Sequence, residues 1–429
     1  MRRCDERKID MVAGKGKRDR VLKLDEIREI LQQGLPPELY HGKRVLVLTP
    51  DGTRTAPLPL MVRELHDLMG RSAERVDFMV ALGSHRPLQE HELLDLYGIG
   101  REERDTRFGN SSFFNHRWDI PGTLRKIGMM ESDEVESLTG GLFRESVEID
   151  INRRIFDYDL ILILGPVFPH EVAGFSGGNK YLFPGISGGG FLHFFHWVAA
   201  VITCWEIIGR KKTPVRQLVD RAAGLVPVQR HCAAMVVTGR NELAGLWVGS
   251  PEDAWDEAVN LSAQLHIVRK PHPYRLVLGR AAGLYDELWT AGKVMYKLEP
   301  VVAEGGMLII YGKHVRSLSH TWGRDLERIG YHVRDYFLAG MDRFGDVPRG
   351  VIAHSTHVKG LGTYENGVER PRIEVALATS IPEEVCRRIN LGHLDPDKID
   401  IEEYRNREDE GILFVDEAGE TLYRLEGEA

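Results

Sequence analysis

Two α/β domains with largely parallel sheets are the fold that the sequence predicts, and three observations predict it. The runs KRVLVLTP, RVDFMVALG and YDLILILG are apolar and rich in β-formers, and they recur through the first half of the chain. Glycine and proline mark short joints between these runs and the segments that separate them, as in parallel strands joined by crossovers. The chain has 429 residues, too many for one small core and enough to bury one in each of two domains.

Taken in order, the first run is a strand, and LPLMVRELHDLMG after it repeats apolar residues at helical spacing, so a helix leads to the second strand. The third strand completes a first domain, expected over 1–270. The break Lys270-Pro271-His272-Pro273 opens a second α/β domain, expected over 271–400, where YRLVLG, a helical stretch through Lys297, and GGMLIIYG again spell strand, helix, strand. DVPRGVIAHS reads as a further strand. The acidic IDIEEYRNREDEG reads as an exposed helix or linker, and GILFVDEAGETLYRLEG as a terminal hairpin in a 401–429 segment that packs back on either domain. An active site is expected in the cleft between the two domains.

Composition sets the class of protein. Hydrophobic residues make up 42% and charged residues 28%, the proportions of an ordinary globular chain. A net charge of -8 argues against a general nucleic-acid binder, and the locally basic first twenty residues read as a solvated terminus. No run is apolar and long enough to span a membrane, and no signal peptide opens the chain, so the expected home is the cytoplasm. Cys4, Cys204, Cys232 and Cys386 are scattered, without metal-site spacing, and are expected to be reduced and mostly structural. A homo-oligomer is compatible with the sequence.

The chemistry lies in the loops after the strands. TPDGTRTAP comes after the first, GSHRP after the second and PVFPHEVAGFSGG after the third. Ligands of open parallel sheets bind beyond the carboxyl ends of the strands, so Arg54, His85 and His170 would share one rim. His85 and His170 are acid/base candidates, because imidazole both accepts and donates protons near neutrality. A pair of such groups suits a reaction on either face of a carbon; each alone could be an ordinary hydrogen-bonded histidine. Arg54 and Lys293 are candidate anion binders, arginine for bidentate carboxylate recognition and lysine as a point charge. AGFSGGNK brings glycines that admit close backbone approach together with Lys180, an arrangement that suits an anionic ligand or a tight structural turn. Familiar nucleotide signatures are absent. His193 and His196 in LHFFHW, three residues apart, could bind metal or pack among the aromatics; His354 and His357 share that spacing.

These motifs together resemble the nickel-dependent lactate racemase family: DxTR, SHRP, PHxxAGFSGGxKxxxPG, a histidine sixteen residues beyond that lysine, and a late lysine in the second domain. The resemblance spans most of the chain. It implies a racemase or C2-epimerase of an α-hydroxy acid, using a nickel-pincer nucleotide supplied by cofactor-maturation enzymes and tethered through a thioamide to Lys180. It implies His196 as the nickel ligand rather than His193, His85 and His170 as the acid/base pair, and Arg54 and Lys293 at the substrate carboxylate. Asp51, Thr53, Gly174, Ser176, Gly177 and Gly178 fall in the cofactor-binding motifs. It further implies hydride transfer from C2 to the tethered group. Where lactate racemase has Tyr-Gln before the late lysine this chain has Trp289-Thr290, and Asn179 stands where arginine is common. Both changes are expected near the substrate, which points to a bulkier acid or a sugar acid in place of lactate. A sugar-acid lyase or dehydratase, and a binding protein without turnover, are the competing readings. RFGNSSFFNHRWD and HSTH carry no assignment.

Overall fold

The structure is a computed structural model that describes residues 12–239 and 242–427. Cys4 and the first eleven residues of the basic terminus lie outside the described residues. Cys204, Cys232 and Cys386 are free and buried.

The first half folds around a seven-stranded sheet. Its strands are β1 (Ala13–Gly16), β2 (Arg44–Thr49), β3 (Arg75–Val80), β4 (Phe113–Asn115), β5 (Leu160–Pro166), β6 (Gln229–Val237) and β7 (Leu243–Gly249). The spatial order is β1-β7-β6-β5-β2-β3-β4. The strands from β6 through β4 run parallel, and β7 and β1 join as antiparallel partners. Both faces are covered, which explains the unbroken apolar runs. Val45, Val47, Leu160, Leu162 and Leu164 face one core; Leu46, Leu48, Ile161 and Ile163 face the other.

Helix α1 (Leu58–Met69) crosses from β2 to β3 and buries Leu58, Met61, Val62, Leu65 and Met69, one stripe at helical spacing. Helix α2 (Gly189–Ile202) is apolar nearly all round because it lies between two cores: Phe191, Phe194 and Phe195 pack on the first, Trp197 and Ala200 on the second. Helix α3 is Pro251–His266.

The second sheet has five strands, β8 (Tyr274–Ala281), β9 (Val302–Gly312), β10 (Glu374–Thr379), β11 (Gly392–His393) and β12 (Ile412–Ala418), in the order β11-β10-β9-β8-β12 and parallel throughout. Helix α4 (Lys293–Leu298) follows β8, and helix α5 (Arg349–Lys359) precedes β10.

Two local expectations are corrected here. DVPRGVIAHS is the start of helix α5, capped at Pro348, with every residue from Gly350 to Lys359 buried. A helix buried on all sides shows no polar stripe, so its short apolar run imitates a strand. The terminal segment is no hairpin. β12 pairs in parallel with β8, whereas Leu422–Leu425 pairs in parallel with Ile267–Lys270 in a separate small sheet. Arg424 fastens that last strand to the carbonyls of Trp205 and Ile208, at 2.9 and 2.7 Å. The acidic segment forms short 3₁₀ turns, and its Ile399 and Tyr404 pack on the outer face of the second sheet. Its charges mask two anchoring apolar side chains. Among the described residues no helix is long and apolar enough to cross a membrane.

Glycine is required at position 174. Its φ is +80°, and a Cβ there would lie 1.9 Å from the Arg210 carbonyl oxygen. Gly174→Ala is expected to cost about 2–4 kcal/mol in urea unfolding, from left-handed strain plus a clash with backbone. Gly190→Ala, where a Cβ meets nothing within 4 Å, is the control and should cost less than about 1 kcal/mol.

Candidate active site

Strand order reverses between β2 and β5, with β3 and β4 stepping out one way and β6 and β7 the other. Loops beyond the carboxyl ends of the strands diverge at such a point and leave a crevice. The loops after β2, β3 and β5 contribute Asp51, Arg54, His85, His170 and Lys180 to one cavity, and α2 adds His196. Trp289, Lys293, Tyr296, His354 and His357, from the second half of the chain, line the same cavity.

The two rim histidines are wired in opposite senses. Asp51 Oδ1 accepts from the Thr53 amide at 3.1 Å and the Thr53 hydroxyl at 2.7 Å, and Oδ2 is paired with His85 Nδ1. Burial works to raise the Asp51 carboxyl, but His85, Thr53 and Arg54 outweigh it and hold it well below the ordinary range. An ionised Asp51 takes the N–H of Nδ1, so Nε2 of His85 carries the lone pair. His170 is the reverse. Its Nδ1 accepts from the amides of Val172 and Ala173, at 3.1 and 3.4 Å, so a neutral ring carries its proton on Nε2. Burial, then the charges of Lys180 and Arg54, push His170 well below its ordinary pKa and keep it neutral. The tight turn Glu171–Ala173 between Pro169–His170 and Gly174–Phe175 supplies these amides.

Arg54 makes no hydrogen bond or ion pair with another described residue, although it lines the cavity. Burial works against its charge, and Glu171, Tyr285 and Asp51 more than compensate, so a full guanidinium stands available to an anion. Lys293 also lines the cavity, but Nζ donates to the Thr53 carbonyl at 3.1 Å and lies 4.5 Å from the centre of the Tyr285 ring. Part of its role is therefore to brace the Arg54 loop.

Lys180 sits on a 3₁₀ turn at the end of the glycine-rich loop. That loop is stiffened from behind: Ser176 Oγ donates to the Pro166 carbonyl at 2.9 Å, Trp255 Nε1 donates to the Ser176 carbonyl at 2.8 Å, and Arg216 binds the Phe175 carbonyl. Burial, then Arg54, lower Lys180 to about 7, so much of it is the free, nucleophilic amine near neutrality. His196 Nδ1–H donates to the Leu192 carbonyl at 2.7 Å, which leaves Nε2 as a lone-pair donor, the tautomer a metal ligand needs. Burial drops its pKa to about 3, so protons do not compete. Among the described residues no three His, Cys, Asp or Glu side chains converge to hold a metal. A metal at His196 would therefore draw its remaining ligands from a carrier group.

The other sequence-predicted residues divide between the cavity and its surroundings. Ser176 and Gly177 line the cavity; Thr53, Gly174, Gly178 and Thr290 do not. Thr53 acts on Asp51, and Thr290 Oγ1 donates to the Glu287 carbonyl at 3.0 Å. His193 is outside the main cavity, set edge-on between Trp118 and Trp322, with Nδ1 buried and without a hydrogen-bond partner among the described residues. Asn179, expected near the substrate, is turned away: it bonds Asp220, Glu252 and Arg230. The unassigned RFGNSSFFNHRWD forms edge strand β4, then places His116 Nε2 on the Ser187 carbonyl at 2.8 Å and Trp118 Nε1 on the Gly83 carbonyl at 3.1 Å. Sequence reasoning passed over Glu171, Tyr181 and Tyr296, which also line the cavity. Tyr296 lies three residues after Lys293 on α4, a spacing that puts both on one face.

Residues 23–204 match the family described as the lactate racemase N-terminal domain. The lactate racemases of Lactiplantibacillus plantarum and Thermoanaerobacterium thermosaccharolyticum are 30% and 29% identical over 155 residues, 35% of this chain and 32% of each relative. The matched stretch thus spans about a third of those proteins. A crystal structure of a protein from Thermotoga maritima superposes with a TM-score of 0.88 at 32% identity, covering 96% of this chain and 100% of that one. The lactate racemase apoprotein of Thermoanaerobacterium thermosaccharolyticum superposes with a TM-score of 0.70 at 18% identity over 92% of both chains, a likeness of fold. The chain thus carries, over residues 23–204, a segment similar to the lactate racemase N-terminal domain.

The depressed pKa of Lys180 is directly measurable. Acetylation by an amine-selective reagent, followed peptide by peptide, should show the Lys180 peptide reacting with a midpoint near pH 7. An ordinary lysine titrates near 10.4, about three units higher. A Lys180 midpoint at that ordinary value would show that burial and Arg54 do not act on it as described.

Proposed function

We propose that this protein is an isomerase, a racemase or C2-epimerase of an α-hydroxy acid, that works with a nickel-pincer nucleotide tethered to Lys180. The observation that carries the reading is the pair of oppositely wired histidines, His85 and His170, on one cavity beside the unpaired Arg54. Binding alone needs no such pair. The lactate racemase names of the curated relatives support the same reaction class.

The residues fit the carrier group. Lys180 offers an amine that is free in substantial part near neutrality for a thioamide, and His196 offers an Nε2 lone pair to nickel, an imidazole donor suited to a square-planar site. When bound, the group supplies nickel and an electrophilic ring that accepts the C2 hydrogen with its electron pair. The remaining work belongs to the side chains. Arg54 would clamp the substrate carboxylate through two parallel hydrogen bonds. His85 Nε2, left with its lone pair by the Asp51 carboxylate that binds Nδ1, would take the hydroxyl proton. His170 Nε2–H would meet the C2 oxygen presented from the other side and hold a proton there. Neither histidine is matched to the C2 proton itself, because its removal would put a carbanion beside a carboxylate. Both are matched to the C2 oxygen, His85 Nε2 as acceptor of its proton and His170 Nε2–H as hydrogen-bond donor, one for each side. Trp289, tilted against His354 with ring centroids 4.3 Å apart, gives the cavity an aromatic wall near the substrate and supports a bulkier acid than lactate.

The direct test is chiral chromatography of an α-hydroxy acid panel with protein produced alongside the cofactor-building enzymes and nickel. Interconversion at C2 without change of mass is expected, and substrate deuterated at C2 should keep most of its label. Loss of water would instead mean a dehydratase, and wash-out of deuterium would mean direct proton abstraction. Replacing either His85 or His170 by Asn should stop net interconversion.

Nickel retention is a separate expectation. His196→Ala should lose most bound nickel by elemental analysis, and His193→Ala should keep it, because His193 is walled off between tryptophans. The reverse result would move the ligand to His193.

A further inference from the structure

We propose that His357 and Glu171 form a subsite for hydroxyl groups beyond C2, so that the substrate is a polyhydroxylated α-hydroxy acid; this rests on the racemase or epimerase reading above. His357 projects from α5 and is only 5% exposed. It lines the main cavity and also a second hollow bounded by Cys204, Glu299 and Arg334, so it stands between the two. Its Nε2 is buried without a hydrogen-bond partner among the described residues. A buried ring nitrogen is rarely left this way unless a ligand or a water completes it. Glu171 lines the same cavity, and its nearest ionisable contact is His170 Nδ1 at 3.5 Å, a nitrogen already occupied by two amides.

The chemistry of the pair selects among acids. A carboxylate accepts hydroxyl hydrogens, and a neutral imidazole donates from one nitrogen and accepts at the other, so the two together suit a chain of alcohols. Burial pushes His357 down to about 4, leaving it neutral, and Glu171 stays ionised under the influence of Arg54 and Lys297 despite its burial. A second carboxylate would therefore meet a negative charge. It would also lack a cation: Lys297 Nζ donates to the Pro169 and Glu420 carbonyls, Lys293 to that of Thr53, and Arg54 is taken by the first carboxylate. A bare alkyl chain would leave Nε2 unsatisfied. An aromatic substituent would compete with the ring contact that Trp289 already makes with His354.

Four-carbon acids of matched length provide the test: α-hydroxybutyrate, erythronate and malate. Binding is read by calorimetry on the full chain, and interconversion by chiral chromatography on cofactor-loaded protein. Erythronate should bind and react about tenfold or more better than α-hydroxybutyrate, the effect of one or two added hydrogen bonds, and malate should be the poorest. His357→Phe keeps the bulk of the ring and should erase the preference for erythronate, with α-hydroxybutyrate binding retained as the check on folding. His357→Gln restores a donor and an acceptor and should recover part of it. Malate or α-hydroxybutyrate as the best ligand, or an unchanged preference in His357→Phe, would overturn the subsite. Turnover of some hydroxy acid without the erythronate preference sinks the subsite alone. An erythronate preference in binding, with no acid interconverted by loaded protein, sinks the racemase reading and leaves the subsite standing.

Discussion

Two lysines one turn apart on α4 hold the site together. Lys293 Nζ donates to the Thr53 carbonyl, in the loop that carries Arg54, and Lys297 Nζ donates to the Pro169 carbonyl, next to His170. Lys297 also reaches the Glu420 carbonyl after β12, and the Glu420 side chain accepts from the Thr55 amide at 2.9 Å. Three loops from separate strands, two of them in the first half, are thereby tied to one short helix of the second. Burial strains these amines electrostatically: it pushes Lys297 to about 8 and Lys293 well below its ordinary value. Charge-assisted bonds to carbonyls offset that cost only while the loops stay in place, so loop position and lysine charge are coupled.

That coupling explains why the cavity can hold contrary protonation states side by side. His85 rests on an ionised carboxylate, and His170 rests on backbone amides, although both are the same residue type after equivalent strands. The difference comes from what lies behind each ring. A carboxylate fixes the proton on the nitrogen facing it, whereas amides fix a lone pair there. Arg54 stands between these arrangements and influences Asp51, Glu171, His170, Lys180 and Lys293 alike. An anion bound to it would therefore change the electrostatics of the whole cavity.

The far wall depends on helix packing. Helix α5 lies against α2, and at Gly350 the approach is close enough that a Cβ would stand 2.7 Å from His193 Nδ1. This packing brings His354 and His357 to the same space as His196, which α2 carries from the other half. Arg349 adds a bidentate pair with Glu145 at 2.6 and 3.1 Å, fixing the start of α5 to the first half.

The sequence by itself determined the strands β2, β3 and β5, the helix between the first two, and the loops after them, because each signal is local: apolar runs on two buried faces, helical spacing, and glycine or proline at the joints. It also marked His85, His170, Arg54, Lys180 and His196, residue types whose chemistry is legible wherever they occur. Only the tertiary structure decided that Asn179 faces away, that DVPRGVIAHS is a helix, that the last two strands belong to different sheets, and that Glu171, Tyr296 and His357 share the cavity. Those facts depend on which distant surfaces cover each segment. A stretch buried on all sides loses the polar stripe that reveals its period, and a side chain's partner across the sheet leaves no trace in its own neighbourhood.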